Sequence, residues 1–132
     1  SGTCVATRAL LPEARIFGAE PAGADDAARS LAAGHLIPQT GPNTICDGLL
    51  TSLSDLTYGI LSEHLEDIIT VTDDEVLDAM SLIRTHLDIV VEPSSATVLA
   101  AVLSPEFSAL SGIDSLGLIL SGGNVDPEQF PN

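Results

Sequence analysis

The spacing of apolar positions changes several times along the chain, and each change marks an element. Residues 3–10 are compatible with a helix that Pro12 stops, and "RIFGAE" (Arg15 to Glu20) then reads as a short strand closed by Pro21. Asp25-Asp26 opens an Ala-rich helix to Ala33, with Gly34 in the place of a left-handed C′ residue. From His35 to Asn43 two prolines and a glycine forbid regular structure. Leu53, Leu56, Ile60, Leu61 and Leu65 return to helical spacing, and "DIITV" is a β-branched strand. Thr72 and Glu75, three apart, form a capping box for a helix whose stripe is Val76, Leu77, Met80, Ile83 and Leu87. "IVVEP" reads as another β-rich run, Ser94 or Ser95 as the cap of an apolar helix to Leu103, and "LGLIL" as the last strand.

Strands alternating with helices predict an α/β fold: a parallel, twisted sheet with helices on both faces and right-handed crossovers. A chain of 132 residues, 45% hydrophobic, suits one domain with a real core, and only 3% aromatic content makes that core aliphatic. In such sheets ligands gather beyond the carboxyl ends of strands. Three loops qualify: Glu20 to Asp26, Glu92 to Ser94, and Ser121 to Asn124.

Charge narrows the partners. Four basic residues against 19 acidic ones, a net charge of −15, repel nucleic acid and anionic membranes, and no apolar stretch reaches membrane-spanning length. The basic residues are Arg8, Arg15, Arg29 and Arg84; lysine is absent. Cys4 and Cys46, with no neighbour at metal spacing, read as reduced, buried thiols of a cytoplasmic protein. The chain opens on Ser1-Gly2-Thr3, without an initiator Met or a leading strand, which predicts a start inside a longer fold.

Candidate chemistry is sparse. His35, His64 and His86 are isolated, and Asp73, Asp74 and Glu75 suit the positive end of a helix dipole. In "AEPAGADD" the carboxylates of Glu20 and Asp26 and the carbonyl of Ala24 suit a hard cation such as Mg²⁺, Mn²⁺ or Ca²⁺, while the competing reading has Asp25 or Asp26 capping the following helix. Ser121, before Gly122-Gly123, could present a hydroxyl to a ligand or simply close a turn.

Together "SGTCVATRALLPEARIFGAEP", "TICDGL", "ITVTDDE", "VVEPSSA" and "LSGGNVD" resemble the carboxyl-terminal half of the large domain of fold-type II pyridoxal-phosphate (PLP) enzymes, in particular the serine racemase and serine/threonine dehydratase family. The resemblance covers essentially all of residues 1–132, read as the carboxyl-terminal portion of that PLP-binding domain. It implies elimination of the β-hydroxyl of a hydroxy amino acid to give a keto acid and ammonia, or racemisation of serine, with hydroxyaspartate dehydratase as a near neighbour. It places Ser121, followed by Gly122, against the pyridine nitrogen of PLP, and a divalent cation on Glu20, Ala24 and Asp26. Glu92 falls in a block that borders the cofactor in relatives, a place a structural residue fits equally well. The family's catalytic lysine and phosphate-cradling glycine loop would lie upstream, in a missing amino-terminal half, so this chain alone holds no catalytic residue. Asp88 lends no support to nucleotide activation of the kind some family racemases show. A homodimer is implied for the intact enzyme. The competing class is an acidic, non-catalytic α/β binding domain.

Overall fold

The computed structural model describes residues 1–126. Its elements are α1 (Gly2–Leu10), β1 (Phe17–Pro21), α2 (Asp26–Ala33), a 3₁₀ turn (Asp47–Leu49), α3 (Asp55–His64), β2 (Asp67–Val71), α4 (Asp73–Leu87), α5 (Pro93–Leu103) and α6 (Pro105–Ser108).

β1 and β2 pair in parallel, from Phe17 against Asp67 to Pro21 against Val71. Parallel neighbours need a long crossover, which α2 and α3 supply. Successive side chains of a strand point to opposite faces. Thus Ile69 and Val71 enter the main core with Val76, Ala79, Met80 and Ile83 of α4 and Ala96, Ala100 and Ala101 of α5. Ile68, also buried, turns to the other face, where it and Leu65 crowd the space a side chain on Gly18 would need. Small residues on α5 let that helix lie close to the strands, so an aliphatic core suffices.

Local signals act as read at several points. Thr72 accepts a hydrogen bond from the Glu75 amide at 3.2 Å while the Glu75 carboxylate accepts from the Thr72 amide at 2.7 Å, which completes the capping box of α4. Gly34 closes α2 in the left-handed region at φ 71°. Asp73 has a further use, accepting from Thr44 Oγ1 and from the Ile45 amide at 3.1 Å, so it anchors the loop that carries Cys46.

Other expectations are corrected. "IVVEP" and "LGLIL" are not strands: among the described residues the only sheet is β1–β2. β-branched and aliphatic residues favour extended backbone, but a strand exists only when a neighbouring edge completes its ladder. Here "IVVEP" meets only the turn that follows "LGLIL", through one backbone bond from the Glu92 amide to the Gly122 carbonyl at 3.3 Å, and Leu116, Leu118 and Ile119 remain exposed. Ser94 and Ser95 do not cap α5; Glu92 is its N-cap residue, with Pro93 at the first helical position and no side-chain cap bond. Leu87, assigned to the buried stripe of α4, is 57% exposed at the helix end, and Ala79 takes the inward position.

Candidate functional site

The first turn of α5 holds two loops that are remote from it in sequence. Ser94 Oγ accepts the Gly48 amide at 3.0 Å, and Ser95 Oγ accepts the Ser121 amide at 2.8 Å. The Glu92 carboxylate accepts the Asn124 amide at 3.3 Å. The hydroxyls expected to cap the helix therefore serve as acceptors for other segments. Proline at N1 removes one orphan donor of the helix start, which frees these side chains for outside work.

Between the two anchors lies Ser121-Gly122-Gly123. Gly122 sits at φ 83°, a left-handed conformation that costs a side-chain-bearing residue about 1–2 kcal/mol. A Cβ there would also lie 2.4 Å from the Glu92 carboxyl carbon and 3.1 Å, at Gly123, from the Val90 carbonyl oxygen. Glycine at these two positions is thus what lets the turn close against Glu92. Ser121 itself is exposed, and among the described residues its hydroxyl takes no hydrogen bond while its amide is held. A held backbone with a free, solvent-facing hydroxyl is ready to meet a polar atom of a ligand.

The acidic loop is built differently from either expected use. Asp25 is the N-cap residue of α2 but makes no capping bond; its carboxylate pairs with Arg29 at 2.7 Å. The helix start is satisfied from the strand instead, where Glu20 Oε2 accepts the Ala28 amide at 2.9 Å. Asp26, 2% exposed, is held by Gln39 Nε2 at 3.1 Å on one oxygen and the Leu53 amide at 3.2 Å on the other. Ala24 is buried in the connection between them. Burial pushes the Glu20 carboxyl up to about 7, with the negative charges of Asp26 and Asp25 adding to the rise and the Ala28 and Ala27 amides opposing it. Among the described residues no three His, Cys, Asp or Glu side chains gather as metal ligands.

Because folding raises the Glu20 pKa from 4.5 to about 7, the folded form holds that proton more firmly than the unfolded one. The associated stability is full below pH 4.5 and is lost as pH climbs through 7. With allowance for partial exposure this amounts to about 2 kcal/mol. In chelator-treated protein, denaturant melts across this range should therefore slope downward, and Glu20→Gln should flatten the slope. An equal slope in both proteins contradicts the assignment.

Cys46 is fully buried, and burial raises its thiol pKa, with Thr44 opposing and Asp73 and Asp47 reinforcing. It is a packing residue, as is Cys4, and neither forms a disulfide. The histidines stay apart from the serine turn: His35 contacts the Ala33 carbonyl, while His64 and His86 lie in the last turns of α3 and α4. Sequence reasoning gave Ser95 only as a possible helix cap and missed its bond to Ser121; the available signal was two hydroxyls after Pro93, one more than a helix cap uses.

A family model described as pyridoxal-phosphate dependent enzyme matches residues 1–122. The chain is 48% identical over 128 residues to serine racemase of Dictyostelium discoideum, covering 96% of this chain and 40% of that protein. It is 48% identical over 132 residues to beta-hydroxyaspartate dehydratase of Paracoccus denitrificans (strain Pd 1222), covering 99% of this chain and 41% of that protein. Among solved structures it resembles maize serine racemase, with a TM-score of 0.93 and 45% identity over 96% of this chain and 40% of that one. The chain spans about two-fifths of the length of these curated relatives.

Proposed function

The chain belongs to the pyridoxal-phosphate dependent enzymes, and from that membership we propose that the protein carrying it binds PLP and eliminates the β-hydroxyl of a small hydroxy amino acid, releasing a keto acid and ammonia. Residues 1–132 form the carboxyl-terminal portion of its cofactor-binding large domain. The observation that supports this most directly is the exposed, unengaged hydroxyl of Ser121 on a glycine turn whose backbone is held at both ends.

PLP, when bound, supplies an electron-withdrawing ring to the α-carbon of the substrate. The part of this chain is to hold and tune that ring. Ser121 offers a neutral hydroxyl to the pyridine nitrogen, which does not keep a proton there as a carboxylate would. The ring is then a weaker electron sink, which suits rapid loss of a β-hydroxyl. Gly122 allows the backbone to approach closely. The amine that carries the cofactor and moves the α-proton comes from outside this chain, whose only basic side chains besides histidine are four arginines.

The same proposal includes a divalent cation, Mg²⁺, Mn²⁺ or Ca²⁺, on Glu20, Asp26 and the Ala24 carbonyl. The oxygen donors suit a hard ion, and one cation would relieve the repulsion between the half-buried Glu20 carboxylate and the buried Asp26. It also includes a homodimer and a cytoplasmic setting, the latter supported by two buried, unpaired thiols. Among the described residues no helix is long and apolar enough to cross a membrane.

Racemisation of serine is the second reading, favoured by the similarity to serine racemase. Incubation of the full-length protein and PLP with L-serine, L-threonine and the 3-hydroxyaspartates decides between them. Keto acid and ammonia from one of these supports elimination, and D-serine without keto acid supports racemisation. A protein that retains no PLP, or retains it equally after Ser121→Ala, overturns the assignment. Residues 1–132 alone, mixed with PLP, should develop no lysine-dependent absorbance band.

A further inference from the structure

The Ser121 turn has little backbone bonding of its own: the Val125 amide meets the Gly123 carbonyl at 2.9 Å, and the Gly122 carbonyl accepts the Glu92 amide at 3.3 Å. Among the described residues no paired strand flanks it, it contains two consecutive glycines, and Leu116, Leu118 and Ile119 before it are exposed. Glycine-rich extended backbone without a ladder samples many conformations, so something outside the segment must select one. Two side chains of the α5 start make contact with it by hydrogen bonds. Ser95, 4% exposed and fixed on the helix, accepts the Ser121 amide at 2.8 Å. Glu92, the residue just before the helix, accepts the Asn124 amide at 3.3 Å and flanks Gly122.

We propose that Ser95 is the positioning residue for Ser121: its buried hydroxyl fixes the Ser121 backbone so that the Ser121 side chain is left free and aimed at the cofactor ring, with Glu92 holding the far end of the turn. This rests on the reading of the chain as part of a PLP enzyme and deepens it. Ser95 touches neither ring nor substrate; it acts through the Ser121 amide. A hydroxyl suits the task because it accepts an N–H from a fixed place on the helix. The helix continues with Ala96 and Ala100, both buried. Since α5 also packs against β1, β2 and α4, the position of the turn is referred to the rigid core and not to its own loop.

The test uses the full-length protein with Ser95→Ala and Ser95→Thr. Loss of one buried hydrogen bond that selects the binding geometry predicts a PLP affinity about fivefold to tenfold weaker in Ser95→Ala, with recovery in Ser95→Thr. Hydrogen exchange on the cofactor-free proteins should show faster exchange of the Ser121 amide in Ser95→Ala and wild-type protection in Ser95→Thr. Thr72→Ala, which weakens the α4 cap and touches nothing in the turn, controls for general loosening. Unchanged Ser121 exchange in Ser95→Ala overturns the proposal, as does unchanged PLP affinity, or an equal loss of affinity in Thr72→Ala. A wild-type protein that binds no PLP overturns the parent reading and this one with it. A wild type that binds while Ser95→Ala binds equally overturns this one alone.

Discussion

Gly122→Ala should lower PLP affinity by about 100-fold in the full-length protein while leaving its melting temperature within a few degrees of wild type. Two effects combine. The added methyl must adopt φ 83°, at about 1–2 kcal/mol, and it meets the Glu92 carboxylate at 2.4 to 2.6 Å. The carboxylate can swing aside, but doing so releases the Asn124 amide at about 1 kcal/mol. The sum, about 2–3 kcal/mol, corresponds to roughly 100-fold in a binding constant. The cost falls on binding and not on the global fold because the cofactor-free turn, itself outside the buried cluster, relaxes to relieve the strain and must re-form to receive the ring. Pairing the change with Glu92→Ala separates the causes: the collision vanishes while the left-handed backbone remains, so part of the affinity returns. Full wild-type affinity in Gly122→Ala would mean that the turn takes another shape when the cofactor is present, and the site would have to be redrawn.

The second large effect falls on the acidic loop. Gly23→Ala should destabilise the protein by about 3 kcal/mol or more, read as a shift in denaturant midpoint at constant slope. A Cβ at Gly23 would lie 1.9 Å from the Asn43 carbonyl oxygen, and the Gly23 carbonyl accepts the Asn43 amide at 2.9 Å. Both obstacles are backbone, so no side chain can yield. The loop would have to part from its neighbour, and Asp26, held by Gln39 and the Leu53 amide, would be dragged with it. Gly59→Ala in α3 is the matching control. Nothing lies within 4 Å of its Cβ position, and replacing a helical glycine should stabilise by about 0.5–1 kcal/mol. Equal midpoints for the two variants would refute the close approach at Gly23.

The same contrast runs through the molecule as a whole. The α/β class, β2, the capping box of α4, the C′ glycine of α2 and the set of motifs that mark the family were legible in the chain, because each depends on residues within a few positions of one another. Thr72 finds Glu75 three residues on, and Gly34 terminates α2 whatever packs against it.

What local pattern does not contain is the partner. "IVVEP" and "LGLIL" have β-forming side chains, yet pairing is a property of two segments, and among the described residues neither meets an edge that completes a ladder. Asp25 has the right residue type to cap α2, but Glu20 reaches the helix start from the neighbouring strand while Arg29 draws Asp25 away. Ser94 and Ser95 look like helix caps from sequence; their hydroxyls are taken by amides 46 and 26 residues distant. Composition and short-range spacing determine which elements can form, and the family shows in the likeness of whole motif blocks to those of its members. Tertiary structure decides which polar groups those elements hold in place, because a hydrogen bond between remote segments exists only once the core has brought them together, and that is how the backbone of Ser121 comes to be held by Ser95.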